Sequence, residues 1–181
     1  MKKSYIAFLF LAACSGGQNH PPLDTVPYVN IDQYLGKWYE IARIDHGFQR
    51  GCVDSAAHYS MRDDGDISVL NTCVLPAKDN KLKEATGRAW VKDTVSNSKL
   101  KVQFFLKGIK LGFLSGDYWI VELDDDYSHV IVGSPNRKYL WILARTPTLD
   151  DQTYQGLLDK ASSMQFDVNQ LLKNEDLKAQ Y

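Results

Sequence analysis

From Lys37 onward the chain is a succession of short runs in which apolar and polar residues alternate. Alternation of this kind marks strands with one buried face, because successive side chains of an extended chain point to opposite sides. The runs are Trp38 to Ile44, Val53 to Met61, Ile67 to Val74, Lys83 to Val91, Lys99 to Leu106, Asp117 to Leu123, Tyr127 to Gly133 and Tyr139 to Arg145. Turn residues separate them. Arg62-Asp63-Asp64-Gly65-Asp66 is a strong hairpin pattern, and Asp124-Asp125-Asp126 and Ser134-Pro135-Asn136 mark two further turns. The pattern predicts an all-β protein of eight antiparallel strands in meander order. No long crossover connection interrupts the series, which favours closure as an up-and-down β-barrel over a Greek key.

One stretch changes period. Thr148 is a suitable N-cap, Asp150 and Asp151 fall in the first turn, and Tyr154, Leu157, Leu158 and Ala161 lie at i, i+3, i+4 and i+7. This predicts one C-terminal α-helix over 149–161, packed by its apolar stripe on the outside of the barrel. Gln165 to Val168 reads as a short ninth strand, and the tail from Asn169 as a last helical piece. Residues 15–29 carry Gly, Asn and three of the chain's six prolines and read as a tether. Fully extended, such a tether spans roughly 50 Å.

Composition narrows the function classes. The chain has 181 residues, 44% of them hydrophobic and 24% charged, as expected for one ordinary folded domain. Lys and Arg number 21 against 22 Asp and Glu, so there is no basic footprint for nucleic acid. A polytopic membrane protein is excluded, because the single apolar run of note, Ile6 to Ala13, is too short to span a bilayer.

That run has a different meaning. Lys2 and Lys3 precede it and Leu11-Ala12-Ala13-Cys14 follows. The segment resembles the lipobox of bacterial prolipoproteins. The resemblance implies a signal peptide over 1–13, lipidation of Cys14, and a lipidated tether over 14–29 leading to a barrel domain over 30–181. Ser15 stands where an Asp would retain such a protein at the inner membrane, which implies a lipid anchor in the outer membrane, on its periplasmic face. With Cys14 assigned to lipid, Cys52 and Cys73 remain, and an oxidising compartment favours a disulfide between them. Two separate buried thiols are the alternative, because spacing does not fix geometry.

Three separated segments then coincide. Gly36-Lys37-Trp38-Tyr39 matches the Gly-x-Trp of the first strand of lipocalins. Gly116-Asp117-Tyr118 resembles their second motif, with Gly116 in place of Thr. Arg145, in Leu143-Ala144-Arg145-Thr146-Pro147, matches the third. The stretch Tyr139 to Thr148 is especially similar to bacterial outer-membrane lipocalins and apolipoprotein D. The resemblance covers about residues 30–168 and implies the lipocalin calyx, with Gly36, Trp38, Asp117, Tyr118 and Arg145 as structural motif residues. It places Arg145 across the ring of Trp38 at the closed end, a cation–π contact worth ~2 kcal/mol when desolvated.

If Arg145 points inward, period two turns Leu143, Trp141 and Tyr139 inward and leaves Leu140 and Ile142 for the helix to cover. The same reasoning gives Ala57, Tyr59, Val69, Asn71, Val102, Phe104, Tyr118, Ile120 and Ile131 as the rest of the inner wall. Such a wall suits the tail of a fatty acid or lysophospholipid, with Tyr118, Asn71 and Tyr139 able to bond a head group; packing as a filled core is the competing reading. The Lys107–Gly116 segment, with Lys107 and Lys110 among apolar residues, suits the head-group end of the ligand. The implied function is to bind and carry or store a lipid at the outer membrane. A structural envelope lipoprotein that grips a protein partner by the barrel rim is the alternative. Bacterial lipocalins include dimers, so a homodimer is among the implied partners, although nothing in the chain marks an interface.

Catalytic patterns are missing from the sequence. It contains neither a Gly-x-Ser-x-Gly elbow nor a Gly-rich phosphate loop. His20, His46, His58 and His129 have no metal-ligand spacing, so no metal and no cofactor are expected and the protein reads as a binder, not an enzyme. Haem or pigment carriage on His58 or His129 is the weakest of the readings.

Overall fold

The computed structural model of the chain describes residues 20–104 and 112–180. Among them are nine strands: β1 (Gly36–Ile44), β2 (Val53–Met61), β3 (Ile67–Leu75), β4 (Lys81–Val91), β5 (Lys99–Gln103), β6 (Gly116–Leu123), β7 (His129–Gly133), β8 (Leu140–Ala144) and β9 (Leu171–Lys173). The helices are α1 (Ile31–Tyr34), α2 (Asp151–Ser163) and α3 (Asn174–Lys178). Strands β2 to β8 pair in chain order, and β1 pairs with both β8 and β2. The expected eight-stranded antiparallel up-and-down barrel is therefore closed.

β1 serves three neighbours. Its first half, Gly36 to Tyr39, pairs with β2, and farther along the same edge Ala42 to Ile44 pairs with β9. Between these, β2 peels away through a bulge, where Asp54 takes a positive φ of 49° and its amide donates to Asn174 Oδ1. β9 and α3 fill the gap this leaves on the barrel wall.

Two apolar clusters follow from strand parity. The inner one gathers Trp38, Tyr59, Val69, Leu100, Ile120, Val130 and Leu143. The outer one joins Ile41, Ala42, Val121, Ile131, Leu140 and Ile142 to Leu157, Ala161 and Phe166. Leu140 and Ile142 thus lie under the helix as predicted. Gly133 is needed here, because a Cβ on it would lie 2.5 Å from the Phe166 ring.

Several expectations are corrected. The cap of α2 is Asp150, whose carboxylate accepts from the Thr153 amide, while the Thr148 carbonyl is held by the Thr146 hydroxyl. The helix therefore starts two residues later than Thr148 would allow. The ninth strand is Leu171–Lys173, not Gln165 to Val168. Gln165 has a positive φ of 66° and the Asp167 side chain closes a tight turn, so extended pairing waits until the chain meets the free edge of β1. The last helical piece, α3, does fall in the tail from Asn169 as expected.

The tether expectation fails for its second half. Leu23 and Val29 are buried, Val26 N donates to Ile120 O at 3.1 Å, and Arg137 Nη2 donates to Pro21 O at 2.8 Å. The prolines hold this segment extended while Leu23, Val26 and Val29 fasten it to the barrel. The lipobox and Cys14 lie outside the described residues.

Candidate ligand-binding site

The barrel is closed at one end around Gly36, Trp38 and Arg145, the residues of the first and third motif segments. Asn30 caps α1, Tyr34 is carried inward, and Trp38 Nε1 donates to Tyr34 O at 2.8 Å. Arg145 lies with its guanidinium carbon 3.9 Å from the Trp38 ring centre. Its nitrogens donate to Lys37 O at 2.9 Å, Gln33 O at 2.7 Å and Tyr127 O at 3.3 Å. Gly36, at a φ of 92°, makes room beside Arg145 Nη1.

The second segment does not join this plug. Gly116 and Asp117 begin β6 at the other end, and Asp117 pairs on the outer wall with Lys101 at 2.8 Å. Tyr127 supplies the third contribution to the closed end: its carbonyl receives Arg145, and its hydroxyl accepts from the Asn30 amide at 2.8 Å.

Above the plug the barrel holds an apolar cavity that opens at its mouth. Ala57, Tyr59, Val69, Asn71, Val102, Phe104, Tyr118 and Trp141 line it, as parity predicts. Three expected residues do not. Ile131 pairs with Ile142 and lies under the helix, because Val130 and Val132 oppose the inward Leu143 and Trp141. Ile120 faces inward but below the level of Tyr118, buried beside Trp38. Tyr139 stands at the rim, its ring parallel to Trp141 at 6.0 Å and 5.6 Å from His46.

The cavity exists because β2 and β4 present small residues. Ala57 and Ala89 leave space, and Gly87 admits the Phe104 ring, which a Cβ would meet at 2.8 Å. Its floor is a trio of tyrosines: the Tyr118 hydroxyl lies 2.7 Å from that of Tyr34 and 3.0 Å from that of Tyr59. Burial pushes the Tyr59 hydroxyl up to about 12 and the other two well above their ordinary value, so all three remain protonated donors.

A polar chain runs to the rim. A bulge in β1 sets both Glu40 and Arg43 on the inner face, opposite Leu143 and Trp141. Arg43 donates to Glu40, Gln49 Nε2 donates to Glu40 Oε2 at 2.7 Å, and Trp141 Nε1 donates to Gln49 Oε1 at 3.0 Å. Beside them His46 stacks on Phe48 at 3.7 Å. Burial first, then the Arg43 charge, lowers the His46 imidazole to about 4, so it is neutral at pH 7. The Cys52–Cys73 disulfide fastens this loop to β3. Ser55 Oγ and Asn71 Oδ1, both on the cavity wall, are buried without a protein partner.

Sequence reasoning missed Tyr34, Glu40, Gln49 and Leu100. Leu100 was available from the parity of Val102 and Phe104. Glu40 was not, since a bulge leaves no mark in a period of two. His58 is exposed on β2, and His129 is held by Ser128 near the closed end, so neither lines the cavity.

A lipocalin-like domain family model matches residues 29–176. The chain is a lipocalin. It is 42% identical to Outer membrane lipoprotein Blc of Citrobacter freundii, over 92% of this chain and 89% of that protein. It is 43% identical to the protein of the same name from Vibrio cholerae, over 78% and 80% of the two chains. The structure of insecticyanin from the tobacco hornworm Manduca sexta aligns with a TM-score of 0.67 at 17% identity, over 86% and 85% of the chains, and shares its fold. The bacterial relatives agree with the lipobox, and this lipocalin is a lipid-anchored outer-membrane protein.

Proposed function

We propose that this lipocalin holds a single-chain lipid, a fatty acid or lysophospholipid, tail down in the barrel, and carries or stores it at the periplasmic face of the outer membrane. The carrying observation is a one-ended apolar cavity with its polar groups gathered at the floor, on one wall and at the rim. Val69, Val102, Phe104 and Leu143 supply the tail contacts, and Gln49 with Trp141 stands where a head group leaves the cavity.

Burying a sixteen-carbon tail at ~0.8 kcal/mol per CH₂ amounts to about 12 kcal/mol before the losses of association. Losing about 4 kcal/mol of motion leaves about 8 kcal/mol, which is micromolar affinity. Each added CH₂ should then tighten binding by up to about fourfold until the tail meets the tyrosine floor. Tryptophan fluorescence of delipidated protein, titrated with saturated acyl chains of increasing length, reads this through Trp141. Trp141→Asp should abolish binding, read by displacement of a fluorescent acyl probe and not by the indole it removes, while far-ultraviolet circular dichroism stays that of a barrel. Folded wild-type protein that binds no acyl chain at micromolar concentration overturns the reading. An empty barrel that retains an envelope protein would move the function to the rim.

A further inference from the structure

We propose that the open mouth rests on the membrane leaflet that holds the acylated Cys14, so that lipid passes between leaflet and cavity without crossing water. The orientation rests on the lipid anchor, and the passage on the lipid-binding reading above.

The path of the N-terminal segment carries the argument. His20 Nδ1 lies 3.1 Å from Gln165 Oε1, and Pro21 O accepts from Arg137. Gln165 follows the last turn of α2, and Arg137 lies in the turn between β7 and β8; both are at the mouth. From there the segment descends the outer wall past Ile120 and reaches the closed end where Val29 N donates to Ser96 O. The first described residues, His20 and Pro21, therefore lie at the mouth. Five residues separate His20 from Cys14, and the six steps between them reach at most about 20 Å. The nine residues of β1 extend about 30 Å, which a strand tilt near 40° turns into more than 20 Å along the barrel axis. Setting the closed end on the membrane would need the linker pulled taut down the whole barrel. Setting the mouth there needs no such extension.

Charge points the same way. The mouth exposes Phe48 from the loop after β1, Leu82 from the start of β4 and Leu114 from the segment before β6. Around them stand Arg50, Lys78, Lys81, Lys83 and Lys138, against Asp45, Asp79 and Glu84. The closed end also exposes apolar residues, Tyr28, Met61 and Val95, but among Asp63, Asp64, Asp66, Asp93, Asp124, Asp125 and Asp126, against Arg62, Arg88 and Lys92. A basic residue near an anionic lipid surface gains about 1 kcal/mol, and an acidic one is repelled. An apolar patch ringed by lysines therefore suits a phospholipid leaflet, and one ringed by aspartates does not.

The test uses the lipidated full-length chain in vesicles of phosphatidylethanolamine and phosphatidylglycerol that carry a spin-labelled head group. One fluorophore is attached at Leu82→Cys on the mouth, or at Val95→Cys on the closed end, without reductant. Flotation with the vesicles checks the anchor; a chain that does not float overturns the proposal together with the anchor it rests on. For the floating chain, quenching at position 82 should exceed that at 95 at least fivefold. Equal quenching, or the reverse, overturns the orientation whether or not the cavity takes up lipid. In unlabelled protein, Leu82→Ser with Leu114→Ser should slow uptake of a fluorescent acyl chain from the same vesicle about tenfold. Its affinity in detergent solution should not change. An unchanged uptake rate overturns direct passage; absence of binding in detergent as well would instead overturn the lipid-carrier reading.

Discussion

Arg145→Ala tests whether the closed end is held by one residue. The guanidinium sits 3.9 Å over Trp38 and donates to three backbone carbonyls from three parts of the chain, at Gln33, Lys37 and Tyr127. A cation–π contact contributes up to ~2 kcal/mol, and a charge-assisted hydrogen bond about 1.5 kcal/mol or more when sheltered. Arg145 is only partly buried and the freed carbonyls can take water, so the full sum is not expected. The expected loss is about 3–4 kcal/mol. Arg145→Lys keeps the charge without the planar fork and should lose about half as much. Urea unfolding of the oxidised protein, followed by fluorescence and circular dichroism, measures this as a shift in midpoint at constant slope. A double-mutant cycle with Trp38→Leu should return a coupling of about 2 kcal/mol. A loss below about 1 kcal/mol, or strict additivity with Trp38→Leu, would refute the reasoning. Acyl affinity should change little, because the tyrosines, not the guanidinium, face the cavity.

Three further outcomes follow from the mouth and the wall. Replacing both Cys52 and Cys73 with Ala opens a loop of 21 residues' separation and should lower stability by about 3 kcal/mol, read by thermal unfolding against the oxidised wild type. Because His46 is held neutral down to about 4 in the fold but protonates near 6.5 when unfolded, stability should fall as pH drops from about 6.5 through 4. The contribution is at most about 3 kcal/mol, and His46→Phe should remove that part of the pH dependence in parallel urea titrations. Ser55→Ala, which deletes an unpartnered buried hydroxyl from the wall, should tighten saturated acyl chains by about threefold to tenfold; weaker binding would show that the hydroxyl meets the ligand.

How much of this was legible in the sequence depends on whether a feature is periodic. The strands were, because each alternates against turns rich in Asp, Gly and Pro. β2 begins and ends where the pattern does, at Val53 and Met61, and the first and third motif segments meet at the closed end. Parity carried along each strand named eight wall residues. It fails where two strands have to be put in phase: parity along β7 alone allows Ile131 to turn inward, but antiparallel partners share a face and Val132 is the residue opposite Trp141. Carrying parity across from β8 would have turned Val130 and Val132 inward. The bulge at Glu40 and Arg43 was not recoverable, since one extra residue shifts the phase without altering composition.

The void itself is the least periodic feature and the one on which function rests. Inward alternation is common to a filled core and to a cavity, so the sequence left both open. What separates them is volume at facing positions. Ala57 and Ala89, with Gly87 admitting Phe104, leave the upper barrel unfilled, while Trp38, Ile120, Val130 and Leu143 fill the lower part. The tyrosine trio stands at that boundary, where large side chains give way to small ones. Buried phenols need partners, and these three supply them to one another, which lets a rigid polar floor exist beneath an apolar chamber. Two bonds among three hydroxyls engage only two of their three protons. One donor is therefore left at the floor, and a ligand whose buried end carries an oxygen would have something to meet there that a plain alkyl tail does not.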